Sequence, residues 1–192
     1  VQIHPPIDSN TVAETATISV TAAPIPPASI SATVVDATQV QTFGWPQPFS
    51  QTVGLRPSAV IAYPIHITTS MLDSFGIYVP NASGAFRMAL YQDSGNKPGA
   101  LVGTPQSQFS VATLNNGITL VDVPDVALTV GDYWLALRVS ATTNIGADAA
   151  TGRRCVADFD IVGLANAWPA SFDSSTCGDT NLINIWTTTY HQ

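Results

Sequence analysis

The sequence predicts an all-β fold, an antiparallel β-sandwich of jelly-roll-like kind with about eight to ten strands and little helix. Three observations predict it. Between Tyr63 and Val139 the apolar residues alternate or cluster in short runs, and each run ends at a Gly, Pro, Asn or Asp turn. No segment shows a sustained helical-period apolar stripe flanked by caps. At 192 residues and 45% hydrophobic content, the chain suffices for one sizeable core, while two full domains would be a squeeze.

Residues 1–28 differ from the rest, because Pro5-Pro6, Pro24 and Pro26-Pro27 bracket the alternating stretch Thr15–Val20. Proline removes a backbone donor and holds the chain extended, which suits an arm or an edge strand. Such an arm either pairs with the sheet edge of a neighbouring copy or serves as the first strand of the same sandwich. Residues 29–192 then form a single sandwich domain. Ser29–Thr42 reads as one or two short strands. Phe43–Phe49 sets three aromatics among two prolines and a glycine, so Trp45 and Phe49 either offer a stacking platform to a sugar ring or plug one end of the sandwich.

Ala59–Thr69 is a strand whose Pro64 points to an edge position or a bulge. Thr68–Asp73 is a bend or bulge, and Phe75–Val79 is a further strand. In Phe86–Asp93, apolar Phe86, Met88 and Leu90 alternate against Arg87, Ala89 and Tyr91, the mark of a half-buried strand. Asp93–Gly99 makes a long turn. Gln106–Thr113 and Gly117–Val123 are joined by Asn115-Asn116-Gly117, residues that tolerate positive φ and suit a hairpin. Val126–Val130 leads into the continuous apolar run Tyr133–Val139, a central strand buried on both faces. The pattern loosens over Ala141–Asp160, and Leu182–Tyr190 supplies a closing strand.

The order of the central block resembles β-sandwich modules of bacterial secreted proteins and of phage tail or fibre proteins. The resemblance rests on Tyr63-Pro64-Ile65, Ser74–Tyr78, Met88–Val102 with its Asp93–Gly99 turn, and Leu128–Leu137 with its Gly-Asp-Tyr-Trp-Leu-Ala core. It implies a jelly-roll-like module without enzymatic activity, serving as a surface, adhesion or carbohydrate-binding-like domain. The motif is a folding signature and transfers no site residues.

Composition narrows the partners. The net charge is −7 and only 10% of residues are charged. Nucleic acid is disfavoured as a partner, because its backbone requires a basic stripe that displaces counterions. Lys97 is the only lysine, and Arg153-Arg154 is the only basic pair. A surface wetted by Ser, Thr, Asn, Gln and Gly is common in exported proteins. No run of about 18 apolar residues free of turn formers occurs, so no membrane-spanning helix is expected. The N-terminus lacks a signal-peptide pattern, which fits a cytosolic chain or a processed one. Cys155 and Cys177 enclose a loop containing Gly, Asp, Ser and Pro, and a disulfide there would staple a weakly structured segment. The histidines do not supply the two further ligands of a zinc site at short spacing. An oxidised pair places the chain outside the reducing cytosol, in an extracellular, cell-surface or virion setting, whereas two free thiols leave the compartment open.

Few residues suggest chemistry. His66 is the only histidine inside the core block; it lies opposite in phase to Ile65 and Ile67, and no Gly-x-Ser-x-Gly elbow accompanies it. Glu14 is the only glutamate, and the aspartates sit mostly in turns, so a carboxylate pair for glycoside hydrolysis has little support. Asp158, Asp160, Asp173 and Asp179, with Asn166 and Asn181, concentrate hard oxygen ligands that suit Ca2+, although turn formation explains the same composition. Asp93 and Asn96 offer a smaller version of that choice. Trp168, with Trp45 and Phe49, completes a set of loop aromatics for a glycan. The expected function is a non-catalytic extracellular surface protein, either self-assembling through the N-terminal arm or adhering to a glycan or cell surface. A phage virion component is the alternative, and a secreted hydrolase is the rival from a different class.

Overall fold

Residues 15–20, 28–33, 40–57, 59–68, 70–103, 112–158, 164, 168–172 and 176–190 are described in a computed structural model, with the backbone alone at 15–20, 28–33, 70 and 158. Strands account for nearly all regular structure in them. In order they are β1 (Thr15–Val20), β2 (Ala28–Thr33), β3 (Gln41–Gly44), β4 (Gln51–Leu55), β5 (Ala59–Ile67), β6 (Ser70–Val79) and β7 (Ala85–Asp93). There follow β8 (Pro98–Leu101), β9 (Ala112–Thr113), β10 (Gly117–Leu128), β11 (Gly131–Val139), β12 (Thr143–Asp158), β13 (Thr176–Ile183) and β14 (Ile185–Tyr190). These fourteen exceed the expected count because short strands such as β4, β8 and β9 are held by backbone pairing that leaves little trace in side-chain pattern.

All pairings are antiparallel. The small sheet runs β10-β6-β14-β3, and the large one β13-β12-β5-β11-β7-β8, with β4 on β12 and β9 on β7. The two pack face to face as a sandwich whose core includes Tyr63, Phe75, Phe86, Leu90, Leu135 and Ile185. Edge-on contact between Trp45, just past β3, and Tyr63 on β5 ties the layers at 5.6 Å between ring centroids. β1 and β2 form a two-stranded sheet of their own.

The run Tyr133–Val139 is buried throughout, and β11 lies between β5 and β7 in the large sheet. Its neighbours depart from expectation in instructive ways. β7 is buried on both faces, because Tyr91 and Arg87 meet a cover drawn from the cysteine loop. Tyr91 stands edge-on to Phe172 at 4.7 Å and to Trp168 at 6.4 Å, and donates its hydroxyl proton to the Pro169 carbonyl. Arg87 donates to the Leu164 carbonyl and lies 5.9 Å from the centre of the Trp168 ring. Ala62, Ala89 and Ala136 share this face by register and leave room for the cover. Arg138 faces Arg87 across the ladder. Burial lowers both guanidinium pKa values, and Arg87 lowers that of Arg138 further.

β5 is a central strand, not an edge one. Pro64 is tolerated because the β5 ladder to β12 ends at Ala62, so a missing N–H turned to that side removes no bond. The Asn115–Gly117 turn does not close a hairpin: β9 pairs with β7 and β10 with β6, so Gly117, at φ 89°, carries the chain from one sheet to the other. The expected break between Val123 and Val126 is a register shift inside β10, around Pro124. The irregularity within Thr68–Asp73 falls at Asp73, which the β14 ladder skips between Leu72 and Ser74. The region from Ala141 to Asp160, where the pattern loosens, holds β12, which pairs successively with β4, β13 and β5. Shared backbone ladders hold it along its length, with Ile145, Ala147 and Ala157 buried in the core.

Cys155 and Cys177 are cross-strand partners of β12 and β13 and form a disulfide across a separation of 22 residues. Closing a loop of that length contributes about 3 kcal/mol by restricting the unfolded chain. Thermal melts with and without reductant are expected to differ by about 10 °C. An unchanged midpoint would contradict this role.

Tyr63 is fully buried and donates its hydroxyl proton to the Asn181 carbonyl at 2.7 Å. Burial pushes its pKa up to about 12, against a smaller opposing pull from Arg154. The neutral phenol therefore stabilises the fold fully below about pH 10, and that contribution is lost as the pH climbs through about 12. Denaturant titrations are expected to lose on the order of 2 kcal/mol between about pH 9 and about pH 12. Tyr63→Phe should make the decline shallower, the remainder coming from Tyr91, whose pKa burial also raises; an equally steep one would rule out Tyr63 as a source.

Candidate functional site

The outer face of the large sheet carries a cleft of about 310 Å³ lined by Pro64, Ile65 and His66 of β5, Asp132 and Trp134 of β11, Asp93 and Asn96 of the β7–β8 turn, and Arg153 of β12. Its construction follows from register. Pro64 opposes Trp134, and His66 opposes Asp132, so alternate residues of two adjacent strands share one face. His66 Nδ1 lies 2.7 Å from Asp132 Oδ1, and both side chains are more than half exposed. As its phase against Ile65 and Ile67 predicts, His66 looks outward.

The other wall is a turn. Asp93 closes β7, Gly95 and Asn96 adopt positive φ of 64° and 62°, and the Ser94 amide donates to the Lys97 carbonyl at 2.8 Å. Asp93 binds both neighbours: Oδ1 accepts from Trp134 Nε1 at 2.7 Å, and Oδ2 accepts from the Asn96 amide at 3.2 Å. Arg153 reaches over to donate Nε–H to the Asn96 carbonyl at 3.1 Å, pinning the turn to β12. Trp134 is buried, with 1% of its surface accessible, so its ring supplies a wall, not a stacking face. Hydrogen-bonding groups of both signs therefore surround a small concavity, a composition suited to a neutral polar ligand. The described residues that line the cleft include no Ser, Thr or Cys.

The loop aromatics are placed elsewhere. Trp45 and Phe49 are half-buried, and Trp45 packs against the hydrophobic core. Their loop is held by Asn184, whose Nδ2 donates to the Trp45 and Gln47 carbonyls at 3.0 and 2.5 Å and whose Oδ1 accepts from the Phe49 amide at 2.8 Å. Trp168 is 3% exposed and covers the opposite face of the large sheet from Trp45, beside Tyr91. The three rings therefore form no common platform.

Of the calcium candidates, Asp179 is exposed on β13 and lines a shallow depression with Arg154, Thr176, Gly178 and Thr180. Asp158 ends β12 with only its backbone described, and Asp160 and Asp173 lie outside the described residues. Among the described residues no three His, Cys, Asp or Glu side chains converge as a metal-holding group. No helix of the described residues is long and apolar enough to cross a membrane.

The sequence alone marks His66, Asp93 and Asn96, but not Asp132, Trp134 and Arg153 as their neighbours. A signal existed in the alternation of Asp132 and Trp134 along β11, but it acquires meaning only once β11 is paired with β5.

Fold and cleft together define an all-β, disulfide-bonded antiparallel sandwich with a polar concavity on its larger sheet. No protein-family model, no curated protein and no solved structure matches the chain.

Proposed function

We propose that this chain is a non-catalytic extracellular surface protein, a sandwich building block that assembles with copies of itself. The observation that carries the reading is the β1–β2 sheet. Its register pairs Ala16 with Ala32, Ile18 with Ile30 and Val20 with Ala28, so these six apolar residues share one face. Thr15, Thr17, Ser19, Ser29, Ser31 and Thr33 share the other. A two-stranded sheet is marginal alone, and one with an apolar face requires further strands or a surface to cover it. The disulfide supports an oxidising compartment. A virion component is the same reading in another setting, and the resemblance to secreted and phage sandwich modules supports both.

Because β2 ends at Thr33, the arm to remove is residues 1–33. Sedimentation velocity of the intact chain is expected to give an oligomer, and deletion of 1–33 the monomer. An oligomeric state indifferent to the deletion would sink the proposal.

A second reading, adhesion to a glycan, draws on the cleft, where His66, Asp93, Asn96, Asp132 and Arg153 offer donors and acceptors around a small hollow. Glycan-array binding that is abolished by Asp132→Ala and Arg153→Ala would support it, and binding unaffected by both would refute it. Hydrolysis rests on the His66–Asp132 pair alone; turnover of esters or glycosides would have to vanish in His66→Ala.

A further inference from the structure

We infer that the cleft on the large sheet is built for one neutral hexopyranose unit, held through its hydroxyls between an acceptor wall and a donor wall; this deepens the glycan reading above and rests on it. The two walls differ in the hydrogen-bonding groups they leave open. On the β5–β11 side, His66 Nδ1 and Asp132 Oδ1 occupy each other at 2.7 Å. A neutral imidazole that donates Nδ1–H to a carboxylate presents Nε2 as an acceptor. Asp132 Oδ2 makes no bond among the described residues, so this wall offers two acceptors from one paired unit. On the turn side, Arg153 Nε–H is occupied by the Asn96 carbonyl at 3.1 Å, which fixes the guanidinium plane. The two terminal nitrogens of Arg153 have no partner among the described residues, so this wall offers donors. The Asn96 side-chain amide, also unbonded among the described residues, adds one donor group and one acceptor.

Charge then selects among sugars. The lining sets two carboxylates, Asp93 and Asp132, against the single guanidinium of Arg153. Both oxygens of Asp93 are occupied, by Trp134 Nε1 and by the Asn96 amide, but its charge stays in the wall. Asp93 and Arg153 bond the same residue, Asn96, so an acidic sugar drawn to Arg153 would bring its carboxylate toward Asp93 as well. An amino sugar drawn to Asp132 would share the small hollow with the Arg153 cation. A hydroxyl both donates and accepts without charge, and so serves either wall. At about 310 Å³ the hollow stands at the small end of ligand pockets, with room for a ring and not for a chain. Pro64, half-buried and paired with Trp134 by register, adds apolar surface for ring C–H groups. The His66–Asp132 and Arg153–Asn96 bonds already hold these side chains, which lowers the ordering cost when a ring docks.

Nuclear magnetic resonance titration of the isotope-labelled full chain tests this, with the methyl glycosides of glucose, galactose and mannose as probes. At least one is expected to shift the amide resonances of His66, Asp132 and Asn96. The uronate and the amino analogue of that same ring are each expected to bind about tenfold more weakly or worse. Asp132→Ala and Arg153→Lys should each weaken the neutral sugar by about tenfold or more, the first by removing an acceptor and the second by removing the fixed fork of donors while keeping the charge. The Trp134 Nε1–H resonance, set by its bond to Asp93, reports whether the turn stays in place in both variants. A loss of binding with that resonance unmoved belongs to the missing groups. A charged analogue that binds as tightly as the neutral ring, or a neutral ring indifferent to both substitutions, overturns this inference; in the first case the glycan reading stands. Cleft resonances that respond to none of the sugars, neutral or charged, take the glycan reading down with it.

Discussion

Gly76→Ala is expected to destabilise the protein by more than about 3 kcal/mol, enough to prevent folding of a marginally stable domain. The reason is Trp186. In the small sheet, Trp186 of β14 opposes Gly76 of β6 on one side and Gly44 of β3 on the other. A Cβ at position 76 would stand 2.0 Å from Trp186 Cε2, 2.3 Å from Nε1 and 2.4 Å from Cζ2. The indole thus lies across the bare backbone of Gly76, an aromatic filling the gap that a strand glycine leaves. Its escape on the far side is restricted, because Gly44, at φ 111°, already brings its own backbone against Ile185 and Trp186. Trp186 is 4% exposed, so displacing the ring also surrenders its burial. Trp186→Ala alone is expected to cost about 3–5 kcal/mol. The double variant should cost far less than the sum, because the clash needs both partners. Chemical denaturation of the four chains measures this. Additive losses, or a silent Gly76→Ala, would show that the indole swings away freely and would refute the contact.

The fold was legible where burial leaves a pattern and illegible where backbone pairing alone holds a strand. β11 is flanked by strands and covered on both faces, so Tyr133–Leu137 reads as an uninterrupted apolar run, with the buried Arg138 the one charge between Tyr133 and the strand's end. β7 has the same environment but carries Arg87 on one face, which made that face look wet; its cover, Leu164, Trp168 and Phe172, is remote in the chain. β12 is rich in Ala, Gly and Thr because successive partner strands grip its backbone, and such residues also compose loops. Proline at 64 signalled an edge, yet only the ladder to β12 determines whether its missing donor matters. The candidate cleft was half legible. The phase of His66 predicted its outward direction, but Asp132 lies 66 positions away and becomes its neighbour through strand register alone. The turn chemistry of Asp93 and Asn96 was visible locally, whereas Arg153 joins that turn from a strand the pattern concealed.

Asn184→Ala is expected to lower stability by about 3 kcal/mol and to free the Phe43–Phe49 loop. Asn184 is fully buried between β13 and β14, and its main chain bridges both sheets: its N–H donates to the Gly146 carbonyl of β12 at 2.9 Å, and its carbonyl accepts from the Tyr78 amide of β6 at 3.1 Å. Its side chain then uses both amide hydrogens and its oxygen on the loop, satisfying the Trp45 and Gln47 carbonyls and the Phe49 amide. Alanine leaves those groups without partners at a cost of roughly 1 kcal/mol each. Trp45 should loosen from Tyr63, so its fluorescence is expected to shift to the red in the folded variant. Asn184→Asp separates packing from hydrogen bonding, since it keeps the shape and the acceptor but turns a carboxylate toward two carbonyls. Its loss should equal or exceed that of alanine. Gly146 supplies a second check. A Cβ there would lie 2.2 Å from Asn184 Oδ1 and 3.0 Å from Tyr78 Cδ1, so Gly146→Ala is expected to destabilise the wild type strongly. In the Asn184→Ala background the closer clash is absent, and the same substitution should cost less. If Asn184→Ala melts within a degree or so of the wild type, the loop is held by its aromatics and not by this amide.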